Sequence, residues 1–187
     1  MPVSEEVREA LGRLMEDVAG GPIDTRAYGQ PRWVRVDGLH VTLRFLGATP
    51  DELQPDLARA IERTAAGRSP FTIALSGAGA FPNPVRPRVL WIGIVTGAGE
   101  LQELAGSLAG ELEALGWPPE DRPFSPHLTL ARTDGVPEAA ERAARLAELA
   151  SDTRLEWLAD RLVLYRSVLG RGPARYEEVA AAVLGQA

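Results

Sequence analysis

The segment PHLTLAR at residues 126–132 repeats a pattern that first occurs as LHVTLRF at residues 39–45. The chain of 187 residues contains only two histidines, His40 and His127, and each begins a His-x-Thr-Leu sequence. A single histidine on a strand is most often structural, and His-x-Thr alone is a weak pattern. Because both histidines of the chain occur in the same setting, the repeat instead favours a shared functional role.

The alternation within each motif predicts which side chains lie together. On a β-strand, side chains two positions apart project from the same face, so we expect His40 beside Thr42 and His127 beside Thr129. The apolar residues between and after them would face the core, namely Val41, Leu43, Leu128 and Leu130. Each motif is therefore predicted to be a strand that presents one imidazole and one hydroxyl.

Two such strands facing each other across a cleft would suit cleavage of a phosphodiester. The pKa of a histidine is about 6.5, so near neutral pH one imidazole can accept a proton while the other donates one. The threonine hydroxyls can donate hydrogen bonds to the non-bridging phosphate oxygens, where negative charge develops. The repeated motif thus indicates paired acid and base catalysis on a phosphate ester.

Composition excludes several classes of function. The chain has no cysteine, which excludes disulfides, thiolate catalysis and zinc sites with cysteine ligands. Its net charge of −6 argues against a broad basic surface that binds nucleic acid through many phosphates. All 20 basic residues are arginines, so any cationic contact to a phosphate would be a guanidinium. No apolar run is long enough to cross a membrane and the amino terminus is not signal-like, so we expect a cytoplasmic protein without a membrane partner.

The hydrophobic pattern alternates between helices and strands along the whole chain. Helical spacing is found at residues 4–18, 51–66, 99–116 and 138–150. Strand patterns are found at residues 33–36, 39–47, 71–81, 89–95, 154–169 and 175–185. The segment 154–169 is expected to be two strands that meet near Asp160. No linker divides the chain and each half contains one motif, so residues 1–187 are predicted to form a single domain with two lobes.

LHVTLRFLG and PHLTLAR resemble the paired signature of the two-histidine (2H) phosphoesterase superfamily, and specifically its bacterial and archaeal RNA 2',3'-cyclic phosphodiesterases, once called 2'-5' RNA ligases. Other segments are similar to that family in order and spacing, so the resemblance covers nearly the whole chain: RWVR, FPNPVRPRVLWIG, LGWPPEDRPFSPHLTLAR and LVLYRSVLGRGPARYEEV. The resemblance implies an α+β, bilobal 2H phosphoesterase fold, in which two pseudo-symmetric antiparallel sheets face each other across a central cleft with helices packed outside.

The resemblance also implies an activity. This is the hydrolysis of 2',3'-cyclic phosphate ends of RNA, or of small nucleotide cyclic phosphates, to 2'-phosphates without a metal or other cofactor. A weak, ATP-independent 2'-5' RNA ligation is associated with it. Carried over position by position, His40 would donate a proton to the leaving 3'-oxygen and His127 would act as the base toward water. Thr42 and Thr129 would bind the phosphate, and Arg132 would neutralise its charge.

Two arginines are candidates for the phosphate contact. Strict alternation places Arg132 on the face opposite to His127, so its side chain is expected to reach the site around a strand end or through a β-bulge. Arg44 shares the face of His40 and is a second candidate for phosphate binding. The alternative for Arg44 is an ordinary solvated arginine on a strand.

Two aromatic residues beside the first motif have alternative interpretations. Phe45 and Trp33 could each stack on a nucleobase, since an aromatic face binds any base. Core packing is the favoured interpretation for both.

The amino terminus departs from the family pattern. Members of the family commonly begin with a short strand before the first helix, whereas Met1-Pro2-Val3 leads directly into the predicted helix. A missing strand is expected to leave backbone donors and acceptors unpaired beside the first motif.

Two functions remain open from the sequence. One is a cyclic phosphodiesterase, and the other is a nucleotide- or RNA-binding module that uses the same cleft without significant turnover. Both histidines and both threonines are present, which favours the enzyme. Two histidines and no cysteine are too few good ligands for zinc, and neither motif is accompanied by an acidic cluster at ligand spacing, so no metal site is expected.

Overall fold

The computed structural model describes residues 1–23, 30–133, 136, 138–170 and 172–185. Within these ranges the chain has an α+β fold, as the resemblance implied. The helices are α1 (Glu5–Ala19), α2 (Gln54–Ala65), α3 (Ala98–Glu113) and α4 (Ala139–Leu149). The strands are β1 (Arg32–Trp33), β2 (Phe71–Phe81), β3 (Val89–Thr96), β4 (His127–Arg132), β5 (Leu155–Ala159), β6 (Arg161–Gly170) and β7 (Gly172–Val183).

The described strands form two antiparallel sheets of unequal size. A five-stranded sheet has the order β1-β4-β3-β2-β5, and β6 pairs with β7 in a two-stranded sheet. The prediction of two strands that meet near Asp160 is confirmed, because β5 ends one residue before it and β6 begins one residue after it. The carboxy-terminal segment is also a strand, as predicted, although its alanines favour helix by propensity.

Local sequence signals account for the ends of α1. The hydroxyl of Ser4 accepts a hydrogen bond from the backbone N–H of Val7 at 3.4 Å, and Gly20 ends the helix in a left-handed conformation with φ of 80°. The buried face consists of Val7, Leu11, Met15 and Val18, which recur at the three- and four-residue spacing of one helix face.

Nearly all buried apolar residues of both sheets and of the four helices belong to one cluster. Helix α2 packs on α3 and on both strands of the small sheet, while α4 packs on β2 and α1. None of the helices in the described part of the chain is long and apolar enough to span a bilayer.

The first motif does not form the continuous strand predicted for residues 39–47. Only His40 and Val41 take part in β-bridges there. The next residues are held by side-chain contacts to a loop instead of by a strand ladder, since the Trp117 indole donates to the carbonyl of Leu46 at 3.0 Å. The predicted strand at 33–36 is likewise reduced to β1, and residues 36–38 form a 3₁₀ turn.

The expectation of unpaired backbone groups beside the first motif is wrong. The amino group of Met1 donates to the carbonyl of Val41 at 2.9 Å, and the N–H of Val41 donates to the carbonyl of Met1 at 2.9 Å. Pro2 forms a bridge with His40, and its carbonyl accepts from the indole of Trp157 at 3.0 Å. A few extended residues are therefore enough to satisfy the edge that a longer strand was expected to cover.

A glycine between strands determines how the large sheet packs near the second motif. Gly79 lies opposite Trp91 in the register of β2 and β3, and a Cβ at this position would lie 2.6 Å from Cη2 of the indole ring. Trp91 therefore lies flat across the glycine, which no other residue would permit without movement of the ring.

We expect Gly79→Ala to lower the free energy of unfolding by about 1–3 kcal/mol, because the added methyl group forces the indole out of its place. Chemical denaturation of the variant measures this loss. The control is Gly106→Ala on α3, where an added Cβ meets no atom within 4 Å and should stabilise by about 0.4–1 kcal/mol. An unchanged midpoint for Gly79→Ala would contradict the packing described here.

Candidate active site

A single antiparallel bridge joins the two motifs. Val41 pairs with Leu128 in this bridge, and both side chains are fully buried. The apolar residue at the centre of each motif thus anchors it to the core beside the other motif. The polar residues on either side of the bridge must then project from the opposite, accessible face.

The bridge places the four motif side chains on one face. In an antiparallel arrangement, the positions next to a paired residue lie across from each other, so His40 faces Thr129 and Thr42 faces His127. Both imidazoles and the Thr129 hydroxyl are partly exposed, and Thr42 is exposed. Neither threonine hydroxyl has a hydrogen-bond partner among the described residues, so both are available to a ligand.

The two imidazoles have the same backbone restraint. Nδ1 of His40 lies 2.8 Å from the carbonyl oxygen of Gly38, and Nδ1 of His127 lies 2.7 Å from the carbonyl oxygen of Ser125. A carbonyl can only accept, so Nδ1 must carry a proton and donate it in both rings. In the neutral form this leaves Nε2 as the free acceptor, and in the protonated form Nε2 becomes a donor.

A different pair of aromatic rings surrounds each imidazole. His40 contacts Tyr176 edge-on, with ring centroids 4.5 Å apart, and Tyr165 at 5.4 Å. His127 contacts Phe81 edge-on at 5.1 Å and Trp91 at 6.3 Å. The tyrosines come from the small sheet, whereas Phe81 and Trp91 come from the large one. The two histidines are therefore alike in backbone anchoring and different in side-chain surroundings.

The surroundings of His40 lower its pKa. The main cause is burial, which disfavours the charged imidazolium. The Met1 amino group acts in the same direction but contributes least, since burial lowers its own pKa to about 5. The hydrogen bond to Gly38 opposes burial and is the smaller of these two influences. The free protein therefore holds His40 neutral at pH values where an exposed histidine would be partly protonated.

A β-bulge resolves the position of Arg132. Thr129 pairs with Trp91 and Ala131 pairs with Leu90, so Leu130 is an extra residue in β4. Leu130 and Ala131 are both fully buried, and Arg132 is exposed. The bulge shifts the alternation by one position and turns Arg132 to the face of Thr129, which is one of the two routes that the sequence left open.

Comparison with known proteins places this chain in a family. The model of the 2'-5' RNA ligase superfamily matches residues 5–171. The chain belongs to this superfamily. A protein of Aeropyrum pernix named RNA 2',3'-cyclic phosphodiesterase is 39% identical over 67% of this chain and 67% of its own length. A protein of the same name from Geobacillus stearothermophilus is 32% identical over 97% of this chain, which spans 54% of that relative.

Solved structures of the 2'-5' RNA ligase superfamily have the same fold. A Thermus thermophilus protein superposes with a TM-score of 0.74 at 30% identity, with coverage of 98% of this chain and 94% of the other. Escherichia coli LigT complexed with 3'-AMP superposes with a TM-score of 0.72 at 26% identity, with coverage of 100% and 95%. These likenesses confirm the α+β class with antiparallel sheets.

The guanidinium of Arg44 already has partners within the protein. It donates to the carbonyl of Pro118 and forms an ion pair with Glu120 at 3.4 Å, and only 13% of the side chain is exposed. Together with the contact between Trp117 and Leu46, these bonds hold the first motif to the loop that leads toward His127. Arg44 is therefore neither a solvated strand arginine nor a free cation beside Thr42.

The two aromatic residues considered from the sequence, Trp33 and Phe45, have opposite environments. Trp33 is 2% exposed and packs in the core, as favoured from the sequence. Phe45 is 75% exposed, so core packing is wrong for it. Its neighbours in the chain are held in place, because Arg44 and Leu46 both bond to the 117–120 loop. Phe45 thus presents an aromatic face to solvent from a restrained backbone.

Sequence reasoning missed the residues that surround the two imidazoles. Phe81 and Trp91 precede the second motif by many residues, and Tyr165 and Tyr176 follow it at a distance, so no local spacing links them to the histidines. Gly38 and Ser125 act through backbone carbonyls, which any residue supplies. The one available signal was position, since each acceptor lies two residues before its histidine.

Proposed function

We propose that the chain is a metal-independent RNA 2',3'-cyclic phosphodiesterase that converts cyclic phosphate ends of RNA, or small nucleotide cyclic phosphates, to 2'-phosphates in the cytoplasm. The observation that carries this proposal is the bridge between Val41 and Leu128, because it sets two histidines with free Nε2 atoms on one face. The names of the relatives support the substrate class.

The proposed reaction is an in-line displacement at phosphorus. Nε2 of His127 takes a proton from water as the water oxygen attacks, and a new P–O bond forms. On the opposite side the bond between phosphorus and O3' breaks, and His40 gives a proton from Nε2 to the leaving oxygen. Water supplies one proton and His40 supplies another, so a 2'-phosphate and a free 3'-hydroxyl result.

The remaining site residues stabilise charge in this proposal. Thr42 and Thr129 donate hydrogen bonds to the two non-bridging oxygens, which carry more charge in the transition state. Arg132 binds the same oxygens through its guanidinium, which can make two parallel hydrogen bonds. Arg44, the second phosphate-binding candidate, would contribute to the field at the phosphate from its place beside Glu120.

The substrate itself explains how His40 can act as the acid. The pKa of His40 is lowered in the free protein, yet a proton donor must be protonated. A bound phosphodiester carries a negative charge next to Nε2, and a nearby opposite charge favours the imidazolium. Binding of the substrate is therefore coupled to uptake of a proton by His40.

Two further features belong to the same proposal. The exposed ring of Phe45 offers a stacking surface for a nucleobase, which favours nucleotides over other cyclic phosphates. Weak, ATP-independent 2'-5' ligation follows if the 5'-hydroxyl of a second RNA takes the place of water. A P–O5' bond then forms as the P–O3' bond breaks, with the same two proton transfers.

The second candidate function is a binding module without significant turnover. It would use the same face, Thr42 and Thr129 for a phosphate and Phe45 for a base. The free Nε2 atoms favour the enzyme, since a binding module does not need two restrained proton carriers. Tight binding of 2',3'-cyclic AMP with no product after prolonged incubation would support the module.

The decisive experiment identifies the product of 2',3'-cyclic AMP. Two similar histidines do not by themselves select the bond that breaks, but the unlike aromatic surroundings of the rings give the site a direction. We expect phosphorus NMR to show the 2'-phosphate as the main product. A main product with a 3'-phosphate would show that the donor and the base are exchanged, or that the ribose binds the other way round.

We expect activity to survive removal of divalent metals. Among the residues that the structure describes, no group of three or more His, Asp or Glu side chains is placed to hold a metal ion. The negative charge of the phosphate is instead met by hydroxyls and a guanidinium. Turnover should therefore be unchanged after treatment with a chelator and dialysis. Loss of turnover that one particular divalent ion restores would contradict this expectation.

A further inference from the structure

The hydrogen bond between Nδ1 and the backbone does not by itself fix the orientation of the His40 ring. A hydrogen bond to the carbonyl of Gly38 fixes one edge of the imidazole, but the ring can still rock about that bond. A proton donor must hold Nε2 within a narrow range of positions, because a shift of about 1 Å can cost about 100-fold in rate. A second contact on the ring is needed, and Tyr176 supplies it edge-on at 4.5 Å between centroids.

A register shift in the small sheet puts Tyr176 in position for this contact. Leu164 pairs with Ala180, but Tyr165 pairs with Glu178, so one residue of β7 is skipped. Without the shift, alternation would place Tyr176 and Tyr165 on opposite faces. With it, both rings lie on one face, 6.1 Å apart, and both contact His40.

A glycine allows Tyr176 to come this close. A Cβ on Gly38 would lie 3.1 Å from Cδ2 and 3.6 Å from Cε2 of the Tyr176 ring. The backbone of Gly38 is not in the left-handed region, so its conformation is open to other residues. The close approach of the ring is therefore the constraint that favours glycine here. Gly38 thus positions His40 in two ways. Its carbonyl accepts the hydrogen bond from Nδ1, and its missing side chain leaves space for the Tyr176 ring.

We propose that Tyr176 is a positioning residue for His40: its ring, packed against Gly38 and backed by Tyr165, holds the imidazole edge-on so that Nε2 stays directed at the substrate phosphate. This inference rests on the proposed function and extends it to a residue of the small sheet. The contact is made by the ring, and the hydroxyl is not required for it. The small sheet therefore contributes to the site through the two tyrosine rings that pack against His40.

The contact between Tyr176 and His40 also excludes water from the imidazole. The pKa of His40 therefore reports on this contact, whereas a purely structural role of Tyr176 would not change it. The groups that act on this imidazole are the Gly38 carbonyl, the Met1 amino group and the two tyrosines. Around Tyr165 lie Glu178, Arg161 and Arg8, and burial together with Glu178 raises the pKa of its hydroxyl. Tyr165 thus stays neutral near pH 7 and brings no charge to the imidazole, so the change that we expect from removing the Tyr176 ring is one of hydration.

The first experiment titrates the two histidines by NMR in Tyr176→Leu and Tyr176→Phe. The chain has only two histidines, so the imidazole signals fall into two sets, and His127 is an internal reference. We expect Tyr176→Leu to raise the pKa of His40 toward its ordinary value of about 6.5, because water gains access to the ring. Tyr176→Phe should keep the parent titration, and His127 should be unaffected in both.

The second experiment measures kcat and KM for 2',3'-cyclic AMP with the same variants. Tyr176→Leu should lower kcat by about 10- to 100-fold with little change in KM, since it misplaces a proton donor and not a binding group. Tyr176→Phe should restore nearly the parent kcat. The mirror variant Phe81→Leu should shift the His127 signals and leave those of His40 in place.

Gly38→Ala keeps the test valid if Tyr176→Leu does not fold. The added methyl group displaces the Tyr176 ring by a few tenths of an ångström, and we expect a smaller change of the His40 titration in the same direction. Gly106→Ala is the matched control. Parent-like titration and kcat in both Tyr176→Leu and Gly38→Ala would overturn the proposal. Because the titration needs no substrate, it tests Tyr176 even if the parent protein does not hydrolyse 2',3'-cyclic AMP and the proposed function fails.

Discussion

Replacing either His40 or His127 with alanine is expected to lower kcat for 2',3'-cyclic AMP by about 10²–10⁴-fold, the usual contribution of a positioned acid or base. Both imidazoles are partly exposed and lie outside the hydrophobic core, although that of His40 is the more buried and packs against two tyrosines. The fold should therefore survive, and circular dichroism and denaturation should match the parent closely. Product formation under saturating substrate measures the loss.

The double variant gives the sharper result. His40 and His127 act on opposite sides of one phosphorus in one transition state, so their effects are not additive. We expect the double variant to be little slower than the slower single variant, with residual rate supplied by the two threonines and Arg132. Two independent losses that multiply would show that the histidines act in separate steps. A single variant that turns over like the parent would refute the role of that histidine.

Replacing Arg132 with alanine is expected to lower kcat for 2',3'-cyclic AMP by about 10²–10³-fold, the usual cost of removing one charge-stabilising donor. Arg132→Lys keeps the charge but loses the planar pair of donors, so it should recover only part of the rate. The bulge at Leu130 provides the physical basis, because it turns Arg132 to the face of Thr129. Steady-state kinetics of the two variants measures the difference.

Arg44→Ala separates the two arginine candidates. Its guanidinium is bonded to Pro118 and Glu120, so its loss should loosen the 117–120 loop and lower thermal stability as well as activity. Glu120→Gln removes the ion pair and should reproduce part of that destabilisation. Arg132→Ala should leave stability unchanged, because the Arg132 side chain is exposed. Equal kinetic losses for both arginines without any effect on stability would assign Arg44 to the phosphate directly.

Periodicity predicted most of the secondary structure because the relevant forces are local. The four helices follow apolar stripes in the sequence, and α1 also has a serine cap at its start and a glycine at its end. The division into two strands at Asp160 followed from the break between two apolar runs. The first motif was the exception, since an alternating pattern also suits an extended segment that is held by a bridge and by side-chain bonds.

The missed residues of the site share one property, which is that they reach the histidines only through tertiary contacts. Trp91 lies flat on Gly79 because of strand register, and Tyr176 reaches His40 because β7 skips a residue. A register shift leaves no mark in the alternation of a single strand. The exposure of Phe45 was also misjudged, since a large aromatic residue beside a strand pattern is usually part of the core.

By itself, the sequence determined the family and the order of the helices and of most strands along the chain, and it singled out the two histidines and two threonines as candidates, because these depend on local spacing and on residue type. Only the tertiary structure decided that one bridge joins the motifs, that a bulge turns Arg132 outward, and that Arg44 is already bonded. These facts depend on which strand positions meet across the sheet. The distance between two residues along the chain does not tell which strand positions pair. Pairing matters because a shift of one residue in register exchanges the buried and the exposed faces of a strand.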